Sequence, residues 1–472
     1  MSQILLRVNN LNIEDGVYGK LNHFSLTLRS FQVLGLEGLN RSGKFAFVQA
    51  LIGNIEISWT QNSIYLKNRK INNLADLQKD IEFLDFNIPL NMDWTVYEFL
   101  YLGRVGWFIT RQQKVEMIKR AKEDCHKFGF RININKKICD LNNMEYRAVR
   151  LMKAARSERD IIVVDDTGYA LTNYDLNQYA DLLEKTAQMG KGIIILFHKN
   201  GIIGRLCSEY IIMRRGRAVK KCTRNPITQE DDQAFVLGET FQKQIESIES
   251  YERHIQHQNR IIYKVSDVIV EGKIRNYQFS EGEIFAYIPE NEKNADDFFN
   301  TISGRKAQRS ASYFLDGKQL TGFNMKTFID NRIVSVRISD LEEESFNKMT
   351  VRDNLMIPFK KNISMVSFFK YGKQMGNVLC DEVPYESFGP NKIVGKETIN
   401  RQIIILMSRW LVYKPKVLVI EHPFKGCDTY GVYLMRGFMK RFSDIGTAVV
   451  VVSMDQEYCF NIADTIVKAA LE

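Results

Sequence analysis

Apolar residues in this chain gather in short, nearly unbroken runs rather than in long alternating stretches. Val33-Leu34-Gly35-Leu36, Ile161 to Val164, Ile193 to Phe197, Val417 to Ile420 and Val449 to Val452 are of this kind. Such runs predict strands buried on both faces of a parallel sheet. Helical spacing lies between them. Ala46 to Gly53 reads as a helix ending at its glycine, and the segment after Leu141 places Ala148, Met152 and Ala155 on one face. The stretch from Phe235 to Tyr263 is rich in Gln, Glu, Ser and His, and Gln242 to Gln258 fits a polar helix. It reads as a linker or, equally on pattern, as a solvated terminal helix of the first half.

The pattern is written twice. Ile161-Ile162-Val163-Val164-Asp165-Asp166 matches Val417-Leu418-Val419-Ile420-Glu421-His422, 256 positions on. Ile193 to His198 matches Val449 to Met454 at the same offset, and Thr95 to Leu100 matches Thr350 to Leu355 at 255. A period of domain size indicates duplication of a whole domain rather than a solenoid. The expected division is a first domain over 1–235, a linker over 236–260 and a second domain over 261–472.

Composition narrows the choices without deciding among them. The chain has 472 residues, 45% hydrophobic and 26% charged, ordinary values for a globular protein. Seven scattered cysteines form no C-x-x-C pair and read as reduced thiols, with neither a disulfide framework nor a zinc site. The start, Met1 to Val8, shows no basic segment leading into an apolar core, so no signal peptide is expected. No apolar run approaches the ~20 residues of a membrane span. A net charge of +9 without an Arg/Lys block interleaved with aromatics gives no expectation of nucleic acid.

The chemistry concentrates at Gly38-Leu39-Asn40-Arg41-Ser42-Gly43-Lys44-Phe45. Gly38, Gly43 and Lys44 fit a phosphate-binding loop, in which backbone N–H groups cradle the phosphates and the lysine reaches them. The apolar run before it and the helix after it supply the strand–loop–helix setting of an anion site. The last position should carry a hydroxyl for Mg²⁺, and Phe45 has no lone pair to give. The loop therefore points to nucleotide binding and away from hydrolysis.

The order of motifs resembles the ATP-binding subunits of ABC transporters, especially the tandem two-domain subunits of ribose- and other sugar-type importers. The resemblance covers nearly the whole chain. It implies an α/β fold of two tandem ABC-type (P-loop NTPase) domains, each with a mixed α/β core and a helical subdomain. It implies ATP at the first domain through Gly38, Asn40, Ser42, Gly43, Lys44 and Phe45, with Tyr18 near the adenine. Asp165 matches the residue that holds the metal through water, Asp166 the one that polarises the attacking water, and His198 the switch histidine at the γ-phosphate. As partners it implies integral-membrane permease subunits, met near Ile88 to Arg104, together with self-association. The location would be cytoplasmic, peripheral at the inner face of the membrane.

The departures are many. Asp166 stands where the family has glutamate, and Thr167-Gly168 replaces Pro-Thr. No glutamine occurs near Asp85-Phe86, where the family senses nucleotide. The first signature motif reads Leu141-Asn142-Asn143-Met144-Glu145, with Met144 in place of a glycine that lets backbone approach phosphate. In the second half the phosphate loop becomes Pro289 to Asp296, with Ala295 at the lysine position and Asp296 at the hydroxyl position. Its signature becomes Glu397 to Asn400, and Glu421-His422 replaces the acidic pair, with Pro423, Gly426 and Asp428 retained. In the family each nucleotide lies between the loop of one domain and the signature of the other, so no complete site is expected. The readings are an importer-type subunit with weak or absent hydrolysis, or a pseudo-ATPase scaffold or regulator with a non-transport partner. A translation-associated tandem ABC protein fits poorly, since those carry a long, strongly charged inter-domain helix.

Overall fold

The structure of the protein is a computed structural model. It describes residues 2–15, 18–58, 63–86, 93–101, 110–166, 173–197, 206–223, 229–253, 260–359 and 365–469. The chain forms two compact units, Met1–Glu239 and Thr240–Glu472.

In the first unit the strands are β1 (Ile4–Asp15), β2 (Gly19–Arg29), β3 (Val33–Glu37), β4 (Ser63–Leu66), β5 (Arg69–Ile71), β6 (Ile81–Asp85), β7 (Ile161–Asp165), β8 (Gly192–Phe197), β9 (Glu209–Arg214) and β10 (Arg217–Thr223). They make a four-stranded antiparallel sheet, β2-β1-β4-β5, and a six-stranded sheet, β10-β9-β3-β8-β7-β6. The second sheet is parallel except for its edge strand β10. Every residue of β3, β7 and β8 is buried, which is why those strands read as continuous apolar runs. One apolar core joins both sheets through the helix Lys44–Leu51, with Phe47, Ala50 and Leu51 fully buried. That helix ends where the sequence placed its stop, with Gly53 at φ 87°.

The second unit repeats the plan with β11 (Ile261–Val270), β12 (Lys273–Ser280), β13 (Ile284–Ile288), β14 (Ser312–Leu315), β15 (Lys318–Gln319), β16 (Ile333–Arg337), β17 (Val417–Glu421), β18 (Ala448–Val452) and β19 (Thr465–Lys468). Its sheets run β12-β11-β14-β15 and β16-β17-β18-β13-β19. The second order is that of β6-β7-β8-β3-β9, strand for strand. An isolated bridge recurs as well, Thr95 with Lys137 and Thr350 with Ile393. The duplication read from residue spacing is thus a duplication of topology.

Of the polar stretch between the halves, residues 254–259 lie outside the described residues. A helix runs from Gln229 to Glu249 and is broken at Gly238, whose φ of 71° and ψ of 164° are not helical. Before the break, Val236 and Leu237 are buried and Arg214 donates to the Phe235 carbonyl at 3.2 Å. After it, Ile245 and Ile248 are buried within the second unit. There Phe241 lies 4.9 Å from Tyr430, and the Tyr251 hydroxyl donates to Asp444. Few apolar residues suffice to dock a helix when they recur on one face.

Candidate functional site

The phosphate loop of the first unit is set between β3 and the helix Lys44–Leu51. A Cβ on Gly38 would stand 2.4 Å from the Met213 carbonyl oxygen and 2.7 Å from Ser42 Oγ. At Gly43, φ is 106°, and a Cβ would stand 2.7 Å from the Lys20 carbonyl oxygen. Both glycines of the motif are therefore demanded by close backbone approach. The Ser42 amide donates to Leu39 at 3.0 Å, and the Ser42 carbonyl accepts from Gly216 at 2.8 Å. Lys44 is fully buried and its ammonium donates to the Gly38 carbonyl. The Phe45 ring lies 5.1 Å from that ammonium and packs, partly buried, against the first core. Tyr18 also packs on this core, and its amide donates to Asp15 at 2.7 Å. A Cβ on the adjacent Gly19 would be 3.5 Å from Arg41 Cα, which brings the Tyr18 turn against the loop that carries Asn40.

The acidic pair at the end of β7 is divided. Asp165 is buried and lies in register with Asp85 on β6 and Leu196 on β8. Asp166 is held on both oxygens by Arg147 of the helix Asn143–Ala155, with Nε donating to Oδ2 at 2.8 Å and Nη2 to Oδ1. The two side chains are 2% and 0% exposed. Phe86 and Tyr179 flank the guanidinium at 5.6 and 5.7 Å. Burial, and then the Asp166 charge, push the Tyr179 hydroxyl well above its ordinary pKa, so it stays protonated. Arg150, one turn along the same helix, donates to the Asp85 carbonyl and stacks 5.0 Å from Phe86.

Asp166 is the residue that the resemblance implies for polarising the attacking water. Both oxygens of that carboxylate are engaged by a buried guanidinium. Arg147 went unnoticed in the sequence, although a signal was present. It falls at helical spacing between Met144 and Leu151, a charged residue on an otherwise apolar face. His198, Thr167-Gly168 and, within Ile88 to Arg104, residues 88–92 and 102–104 lie outside the described residues.

At the first signature segment, Met144 turns into the unit and is 5% exposed. Asn142 caps the helix and accepts from the Glu145 amide at 2.8 Å, while Glu145 accepts from the Asn142 amide at 2.9 Å. Lys136 pairs with Glu145 at 2.6 Å. This capping box consumes amides that a helix N-terminus would otherwise offer an anion. The second signature is capped by Thr398, and Asn400 donates to Asp428 at 3.0 Å.

In the second unit no phosphate loop forms. Only Pro289 to Asn291 separate β13 from the helix Glu292–Ile302, and Asn291 caps that helix. Residues that would have made the cradle wind into the first helical turn, because no glycine there permits the open conformation. Ala295 is fully buried. Arg337, at the end of β16, bridges Asp296 at 2.6 Å and Glu421 of β17. Burial opposes the Arg337 charge, but Glu421 and Asp296 outweigh it and hold its pKa above the ordinary value. His422 and Lys425 both pair with Glu292, at 2.9 and 3.0 Å.

The residues present do not fit the Mg²⁺ that a P-loop site implies. The hydroxyl position holds a phenyl ring packed on the core, and the second carboxylate is occupied by Arg147, which leaves Asp165. Among the described residues no group of three or more His, Cys, Asp or Glu is placed to hold a metal ion.

A strand, a phosphate loop and a helix beside a parallel sheet with an acid at its neighbouring strand end define a P-loop domain of the ABC type, here in tandem. The comparisons agree. The ABC transporter family model matches residues 21–168. The ribose import ATP-binding protein RbsA of Caldanaerobacter subterraneus subsp. tengcongensis is 22% identical over 98% of this chain and 94% of its own length. RbsA of Streptococcus agalactiae serotype Ia is 23% identical over 97% and 93%. The galactose/methyl galactoside import ATP-binding protein MglA of Mannheimia succiniciproducens is 21% identical over 98% and 92%. The chain is a strongly diverged relative of the tandem ATP-binding subunits of ABC transporters, similar to them along its whole length.

Proposed function

We propose that this chain is the ATP-binding subunit of a sugar-importer-like ABC complex, binding nucleotide at the first unit and hydrolysing it weakly or not at all. The printed names of the relatives, ribose and galactoside import ATP-binding proteins, support the class. The observation that carries the reading is the contrast within the first unit. The loop Gly38–Lys44 keeps its cradle, whereas Asp166 is sequestered by Arg147. Phosphoryl transfer depends on positioning and on charge around the γ-phosphate, so a held nucleotide without a free base or a metal ligand turns over slowly. The subunit then serves its permease as a nucleotide-dependent structural or regulatory part, at the cytoplasmic face of the membrane. Among the described residues no helix is long and apolar enough to cross a membrane.

Purification from the native cell tests the partner. Recovery with a multi-span permease supports the importer reading, and recovery with a soluble partner alone moves the protein to the scaffold class. Titration with ATP tests the site. Lys44→Ala should weaken binding at least about tenfold, as expected when a charge-assisted phosphate contact is lost. Turnover at ordinary ATPase rates that depends on Lys44 would overturn the proposal.

A further inference from the structure

Three arginines surround the phosphate loop and are not used by the reading above. Arg41 lies on the loop itself, and Arg215 and Arg217 flank Gly216 in the turn joining β9 to β10. All three are exposed. The turn is fastened to the loop, since the Gly216 amide donates to the Ser42 carbonyl at 2.8 Å and a Cβ on Gly43 would lie 3.1 Å from Gly216 Cα. Ion pairs elsewhere in the unit involve Lys67, Arg147, Arg156 and Arg159, but none of these three arginines pairs with a carboxylate among the described residues. Lys20 is adjacent as well, although Glu14 faces it across the strand pair. A second observation points into the loop. Ser42 Oγ is 3% exposed, has no hydrogen-bond partner, and faces the Gly38 backbone.

In a P-loop enzyme the metal neutralises much of the polyphosphate charge. Here Phe45 stands at the metal-ligand position, so a bound polyphosphate needs its counter-charge from the protein. Arginine is suited to this, being permanently charged and able to meet phosphate oxygens in a bidentate fork. Lys44 and the helix N-terminus act from within the loop, and the arginine rim acts from outside it.

We propose that the first unit binds its nucleoside polyphosphate free of metal, with Arg41, Arg215 and Arg217 supplying the charge that Mg²⁺ supplies elsewhere. This rests on the reading of the first unit as a nucleotide site. The test is calorimetric titration of the full chain with ATP, in excess EDTA and in excess MgCl₂. A parallel titration with pyrophosphate distinguishes recognition of the nucleoside from recognition of phosphate alone. Affinity in EDTA should equal or exceed that in magnesium. Arg215→Ala with Arg217→Ala should weaken metal-free binding about tenfold or more, the loss expected for charge-assisted contacts. Raised salt should weaken it in the natural chain as well. Because both arginines are exposed on a surface turn, the double variant should fold, which its unchanged melting temperature would show. Magnesium that strengthens binding about tenfold, or an arginine double variant that binds like the natural chain, overturns the inference and leaves the nucleotide site standing. Absence of binding in both buffers overturns the nucleotide site itself.

Discussion

The ends of β7 and β17 are the same place in two copies of one fold, and each has an acid neutralised by an arginine. The arginines come from different directions. In the first unit Arg147 arrives from the helix that follows the signature segment and takes Asp166, while Asp165 and the phosphate loop keep their places. In the second, Arg337 arrives from the neighbouring strand and takes Glu421 together with Asp296 on the loop helix. A cation placed between those two acids supplies positive charge at the strand end, as a bound metal would. A cation that takes only the second acid leaves Asp165 and the glycine-lined loop in place.

The largest effect that would test this comparison is removal of Arg147. Arg147→Met leaves Asp166 buried and unpaired, and should cost about 3–5 kcal/mol of first-unit stability. Chemical denaturation followed by a first-unit probe measures it. Adding Asp166→Leu should return most of that loss, because two apolar groups of similar volume need no mutual charge. A single variant as stable as the natural chain would mean that the pair does not anchor the strand end.

The connecting helix tests which copy owns it. Ile248 is 3% exposed, and a Cβ on Gly437 would approach its Cγ2 to 2.8 Å. Ile248→Ala should therefore destabilise the second unit by about 2–4 kcal/mol and leave the first unchanged. A loss confined to the first unit would restore the reading of this segment as that unit's terminal helix.

Removing Arg337 should cost less, about 1–3 kcal/mol near neutral pH, because the Asp296 side chain is half exposed and Glu421 has an escape. Burial already raises the Glu421 pKa, against the pull of His422 and Arg337. A carboxyl with a higher pKa folded than unfolded favours folding while it is protonated, and loses that contribution as pH rises through the folded value. Without Arg337 the pKa rises further, so the deficit of Arg337→Met should grow as pH rises above the ordinary glutamate range. A deficit that shrinks over that range would reverse the assignment.

Much of the architecture was legible in the spacing of residues along the chain. Continuous apolar runs gave the parallel strands, and a constant offset gave the duplication, because both depend on spacing alone. The Gly38, Gly43 and Lys44 spacing located the cradle, since glycine at those points answers a local backbone demand. Arginine partners were hidden for the opposite reason. Arg147 and Asp166 are brought together by packing between a helix and a strand, and nothing within either segment announces the other. The winding of Pro289 to Asn294 into a cap and helical turn was likewise obscured by alignment to an open loop, although Asn291 is an ordinary N-cap residue.

The smallest expected effect is also the most discriminating. Phe45→Ser restores the hydroxyl that the motif lacks and makes the first loop conform to the P-loop pattern. If Phe45 were the sole lesion, this change would give magnesium-dependent turnover. The structure argues otherwise, because Asp166 remains bound to Arg147 and Phe86 remains where a polar nucleotide sensor was expected. ATP turnover should stay within about twofold of background, since positioning and charge at the γ-phosphate are still missing. The same variant should gain magnesium-dependent affinity, because a hydroxyl next to Lys44 gives the metal a ligand. Binding that responds to magnesium while turnover does not would separate the two functions within one loop. Turnover that rises with it would show that the Arg147 pair opens in solution and that the first copy is a damaged enzyme rather than a binding site.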